Sequence, residues 1–242
     1  MAQNIYDNPD FFAGYSRLPR QVLGLDGAPE WPAVAAMMPD LAGRRAVDLG
    51  CGFGWASRWM RQHGAESVLG IDISATMIAR ARADTDDPAI VYRIEDLEHL
   101  DLPRAAFDIA FSALAFHYIQ DFARLSRMIF AALTPGAWLV FTIEHPIFMA
   151  APAPDWIAAR DGGRIWPVRH YAEEGERRTD WFAKGVLKYH RTMGTTLNTL
   201  IDSGFAIRRV EEFAPSPRQV AADPRLAQER ERPMLLLVSA QR

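Results

Sequence analysis

The chain has 242 residues, of which 49 % are apolar, enough for one sizeable α/β domain with a packed core. Lys and Arg total 27 against 30 Asp and Glu, so a net charge of −3 offers no basic excess for phosphates and no nucleic-acid partner is expected. A single cysteine, Cys51, rules out an internal disulfide, and the histidines form no H-x-x-x-H or H-E-x-x-H spacing, so no metal is expected. No basic segment leading into an apolar run surrounds Asp7 and Asp10, and no stretch approaches the roughly 20 apolar residues needed to cross a bilayer. A cytoplasmic protein without a membrane partner is the expectation, and oligomeric state is not legible.

Residues 1–40 read as a helical arm in which Phe11, Phe12, Tyr15 and Trp31 alternate with Arg17 and Arg20. These aromatics either close over a ligand or fill a groove between helices. Strand-like and helix-like runs then alternate: strand 45–49, helix 55–63, strand 67–71, helix 75–83, strands 90–93 and 107–111, helix 121–132 and strand 138–143. Such alternation predicts a parallel sheet with helices on both faces, whose ligands sit outside the carboxyl ends of the strands. Residues 146–192 break the pattern as an insertion rich in Trp, Arg, Glu and Gly, within which 164–171 and 177–181 are expected to pair as a hairpin. A helix over 194–203 and an antiparallel pair of strands, 205–213 and 234–240, complete the single domain.

The most informative run is Val47-Asp48-Leu49-Gly50-Cys51-Gly52-Phe53-Gly54, followed by a strand that ends on Asp72. Glycines at 50, 52 and 54 allow a sharp turn and close approach of the backbone to a ligand, and a carboxylate at the next strand tip is placed for a ribose diol. A nicotinamide fingerprint would need glycine where Trp55 stands, and no Lys-Ser/Thr follows the last glycine as a triphosphate loop requires.

What remains, D-x-G-x-G-x-G with an acidic residue ending the next strand, resembles motif I of class I S-adenosylmethionine-dependent methyltransferases. Further motifs agree: Ile94-Glu95-Asp96-Leu97, then Phe107 to Ser112 with the loop Ala113 to Tyr118, and the turn Leu133-Thr134-Pro135-Gly136-Ala137 before Trp138 to Ile143. The likeness is that of the type 11 methyltransferase group and covers about residues 45–145. It implies an α/β, Rossmann-like, seven-stranded, mostly parallel sheet with an antiparallel last strand. It also implies S-adenosyl-L-methionine as cofactor, held by Asp48, Gly50, Cys51, Gly52, Gly54, Asp72, Ile73, Met77, Asp96, Leu97, Ser112 and Tyr15. Asp72 would take the ribose and Asp96 the adenine amino group. Met77 would pack on adenine, or else serve as an ordinary core residue.

In-line methyl transfer to a small molecule requires no enzyme nucleophile, because alignment and exclusion of water supply most of the acceleration. If the acceptor arrives protonated, His145, Glu144 and His117 are the candidate bases, with a backbone-bonded His145 as the plain alternative. Arg169, His170, Tyr171, Lys188, His190 and Arg191 of the expected substrate cap, 146–192, either orient an anionic acceptor or form a solvated face. A non-catalytic protein that binds the same cofactor is the second hypothesis.

Overall fold

The computed structural model describes residues 3–151 and 155–242; residues 1–2 of the expected arm and 152–154 of the expected cap lie outside the described residues. Three short helices come first, α1 (Pro9–Tyr15), α2 (Pro19–Val22) and α3 (Trp31–Met37). The Asn8 side chain accepts the Phe11 N–H and Pro9 opens the helix, which fixes where α1 starts. Next come β1 (Arg45–Leu49), α4 (Trp55–Gln62), β2 (Ser67–Asp72), α5 (Ala75–Ala83), β3 (Ile90–Ile94), β4 (Phe107–Ala113), α6 (Phe122–Ala132) and β5 (Leu133–Glu144). Segment 146–192 contributes α7 (Pro146–Met149), β6 (Ile157–Ala158), β7 (Arg164–Ile165), β8 (Gly175–Trp181) and β9 (Ala183–His190). α8 (Met193–Asp202), β10 (Ala206–Glu212), α9 (Pro217–Ala222) and β11 (Leu235–Gln241) complete the chain.

Seven strands lie in the order β10-β11-β5-β4-β1-β2-β3. β1 pairs in parallel with both β2 and β4, while β11 runs antiparallel between β5 and β10. Both faces of the central strands are buried, so alternate residues feed two cores: Val47 and Leu49 join Leu125, Ile129 and Leu200, whereas Ala46 joins Met60, Ile78 and Val34. Strand order reverses at β1, and this opens a crevice over the carboxyl ends of β1, β2 and β4.

Two expectations are corrected. The turn expected at 133–137 is part of β5, because Leu133 already pairs with Phe107 and the irregularity is absorbed between Phe107 and Ile109. Segment 164–171 does not pair with 177–181; β8 pairs with β9 and β7 with β6. β8 takes the nearer partner, since Phe182 alone separates it from β9 and a shorter closure costs less chain entropy. The Asp180 carboxylate of β8 accepts the Gly185 N–H of β9 across the tip of this hairpin.

The hairpin β8–β9 meets the arm rather than standing apart. Val186 is buried with Ile5 and Phe11, the Trp181 ring lies 5.3 Å edge-on from Phe11, and the Gln3 side chain accepts the Leu187 N–H at 2.8 Å. On its other side the arm is tied to α5, where Asp7 accepts from the Ser74 hydroxyl at 2.5 Å and the Thr76 N–H at 3.1 Å. Among the described residues no helix is long and apolar enough to cross a membrane.

Candidate active site

The β1–α4 loop turns through Gly50 (φ +78°) and Gly52 (φ +52°), a left-handed conformation that side chains resist. A Cβ on Gly52 would have nothing within 4 Å, so this stretch of backbone faces open space. The Asp72 carboxylate accepts the Gly52 N–H at 2.9 Å and the Ser74 N–H at 2.9 Å, which locks its position at the tip of β2. Burial pushes its pKa up, against those two hydrogen bonds. Asp96 accepts the Glu98 N–H at 3.0 Å beyond β3. Gly50, Gly52, Asp72, Ile73, Met77, Asp96 and Leu97 line one cavity of about 80 Å³, closed by Tyr15, Leu114 and Tyr118.

Asp48 lies on the other side of the loop, buried, with the Ser57 hydroxyl donating to it at 2.6 Å. It borders a second cavity of about 90 Å³ with Cys51, Arg20, Glu30, Trp55 and Thr142. Burial, with the Asp72 charge adding to it, pushes the Asp48 carboxyl from 3.8 up to about 7. The folded state therefore holds this proton more tightly than the unfolded chain, and the associated stability is complete below about pH 4 and lost as pH rises to about 7. Asp48→Asn keeps an oxygen for Ser57 without the charge. In cofactor-free protein the variant should lose about 2 to 3 kcal/mol less than wild type between pH 5 and pH 8. Urea unfolding at the two pH values measures this, and equal losses would refute it.

The third cavity is the largest of these three, about 340 Å³, and lies under the hairpin β8–β9. On its wall the Lys188 ammonium donates to Glu144 at 2.5 Å, with both side chains close to fully buried. Tyr6 and Tyr118 hydroxyls meet at 3.2 Å beside it. Tyr15 and Leu114 border all three cavities. Leu114 holds φ +58°, a costly conformation for a leucine, and is fixed there by its N–H donating to the Thr142 carbonyl at 2.9 Å.

Several expected residues sit elsewhere. The ring of His145 is buried, its Nδ1 accepts the Ile147 N–H at 3.1 Å and its Nε2 pairs with Glu212 at 2.8 Å, so it caps α7 and borders none of the three cavities. With both nitrogens engaged it is not placed as a base. His117 does border the large cavity, but its Nδ1 accepts the Glu144 N–H, which leaves the proton on Nε2. Burial first, then Lys188 and Arg191, hold its pKa well below the ordinary value, so the neutral ring offers the cavity a donor rather than a base. Ser112 is buried and donates to the Leu49 carbonyl at 2.7 Å, tying β4 to β1 away from the cavities. Gly54 is likewise set back, where a Cβ would come within 2.2 Å of the Tyr92 hydroxyl oxygen.

Of the six polar residues expected in the cap, only Lys188 borders the large cavity. His170 pairs with exposed Glu173, Arg191 donates to the Phe116 and Ile119 carbonyls, and His190 bonds the Tyr171 carbonyl. Tyr6, Glu30, Trp55 and Trp181 were not expected as site residues. The aromatic density of the arm is a signal for Tyr6, whereas nothing local marks Glu30.

A sheet with this strand order, a glycine loop open to a cavity and carboxylates at two successive strand tips define a nucleoside-cofactor domain of the Rossmann-like class. The chain matches a family model described as a methyltransferase domain over residues 47–141. It is 57 % identical to an S-adenosylmethionine-dependent methyltransferase from Mesorhizobium loti, whose crystal structure superposes with a TM-score of 0.88 over 90 % of this chain and 100 % of that one. It is also 33 % identical to an uncharacterized protein of Haemophilus influenzae, over 86 % of this chain and 85 % of that protein. A malonyl-[acyl-carrier protein] O-methyltransferase of Enterobacter lignolyticus is 36 % identical, but over only 46 % of this chain and 43 % of that enzyme. The chain belongs to the class I S-adenosylmethionine-dependent methyltransferases of type 11, and S-adenosylmethionine is its cofactor.

Proposed function

We propose that this methyltransferase acts on a small-molecule acceptor held in the large cavity beneath the hairpin β8–β9. One observation carries the reading: three cavities converge on Tyr15 and Leu114. A sulfonium has three carbon substituents, and three chambers meeting at one point match that shape. When bound, S-adenosylmethionine supplies an electrophilic methyl group. Asp72, fixed by two N–H groups, would accept the ribose hydroxyls. Asp96 and Met77 would border the adenine, with Gly52 leaving room for close approach. Tyr6, Tyr15 and Tyr118 exclude water from the junction, and the arm and cap act together as the cover.

In the acceptor cavity Glu144 takes the proton of an attacking hydroxyl, Lys188 orients it, and His117 donates from Nε2. Lys188 lies 5.3 Å from the Trp181 ring centroid and 6.0 Å from that of Tyr118, so the aromatic faces that would hold an ammonium already face a cation. This favours a neutral or anionic acceptor. Release of S-adenosylhomocysteine with a panel of hydroxyl, carboxylate and amine acceptors tests the proposal. Hydroxyl or carboxylate acceptors should turn over, and Glu144→Gln should slow a hydroxyl acceptor by about 10²-fold or more while cofactor affinity holds. Turnover confined to amines would overturn it.

A further inference from the structure

The cavity bordered by Asp48 and Cys51 contains an unusual concentration of unsatisfied polar atoms. Glu30 Oε2, Trp55 Nε1 and Thr142 Oγ1 are all buried, their side chains all border this cavity, and none has a hydrogen-bond partner among the described residues. A buried polar atom without a partner costs about 1 to 3 kcal/mol, so three around one chamber point to a ligand that satisfies them. The glycine loop separates this chamber from the one holding Asp72 and Asp96, since Gly50 and Gly52 border both.

We infer that Glu30, Trp55, Thr142 and Arg20 form the receptor for the amino-acid end of the cofactor, an assignment that rests on the three-chamber reading above. That end is a zwitterion, so its receptor needs one acceptor of negative charge and donors for a carboxylate. Glu30 provides the first: its Oε1 is held by Arg20 at 2.9 Å, while Oε2 remains open for an ammonium. The indole N–H of Trp55 and the guanidinium of Arg20, which also borders the chamber, provide the second. The Thr142 hydroxyl serves either charge.

Packing holds these groups in place. The Trp55 ring is covered on one side by the Arg58 guanidinium, 4.6 Å from its centroid, and on another by Gly24, where a Cβ would come within 2.8 Å of the ring. Glu30 and Arg20 are both contributed by the arm, so the arm supplies both charges of the receptor.

Calorimetry on the intact protein distinguishes this assignment, using S-adenosylhomocysteine and 5′-methylthioadenosine, which lacks the amino-acid end. Trp55→Phe deletes the N–H while keeping a smaller aromatic ring, and Glu30→Gln deletes the charge. Each should weaken S-adenosylhomocysteine about tenfold or more and leave methylthioadenosine within about twofold of wild type. If Glu30→Gln fails to fold because Arg20 loses its partner, Trp55→Phe decides alone. Parallel loss of both probes, or unchanged S-adenosylhomocysteine affinity, overturns the assignment while the three-chamber reading stands. Wild-type protein that binds neither probe overturns both.

Discussion

Asp72→Ala is expected to weaken S-adenosylmethionine binding by about 2 kcal/mol or more, roughly 30-fold, because each hydrogen bond to a carboxylate contributes about 1.5 to 3 kcal/mol. The carboxylate acts twice in this fold. It faces the proposed nucleoside chamber, and it also pins the Gly52 N–H and hence the loop that separates two chambers. The cofactor-free protein should remain folded, since the substitution removes a buried charge that raises the cost of ionising Asp48. Calorimetric titration with unfolding curves reads both effects. Unchanged affinity would remove Asp72 from the site.

The second large effect is on stability. Lys188→Met leaves Glu144 buried without its cation, and breaking one partner of such a pair typically costs about 3 to 5 kcal/mol. Against a total stability on the order of 5 to 15 kcal/mol, the variant becomes marginal. The double variant Lys188→Met with Glu144→Gln should recover more than half of the loss, because no lone charge remains. Chemical denaturation of both proteins decides it, and equal losses would show that the pair is not coupled. Activity should be lost in both variants, which separates the pair's structural role from its proposed part in orienting the acceptor.

The fold was legible because its signals are local. The alternation of apolar runs, the glycines of 50–54 and the carboxylates at 72 and 96 each reflect backbone geometry or strand periodicity within a few residues. The proposed nucleoside chamber follows from the same signals, since Gly50, Gly52, Asp72, Ile73, Met77, Asp96 and Leu97 all lie at a strand end or in the turn or helix that follows it, and line one cavity. Side-chain direction was less accessible. His145 and Ser112 occupy the expected strand ends, yet one turns to cap α7 and the other turns into the sheet. Whether a polar side chain at a strand end meets solvent, a cavity or a neighbouring carbonyl depends on which element packs beside it.

The sequence by itself determined the doubly wound sheet, the glycine loop and the two carboxylates that mark a nucleoside cofactor, because these depend on short-range periodicity and on the conformations glycine permits. Only the tertiary structure brought together the side chains of the proposed acceptor cavity and of the proposed receptor for the cofactor's amino-acid end. Glu144 and Lys188 are 44 positions apart, and Arg20 and Glu30 come from helices and turns with no periodic signature. Their meeting depends on how the arm and the hairpin β8–β9 pack over the crevice, a contact between chain segments as distant as Gln3 and Leu187 that no local pattern encodes.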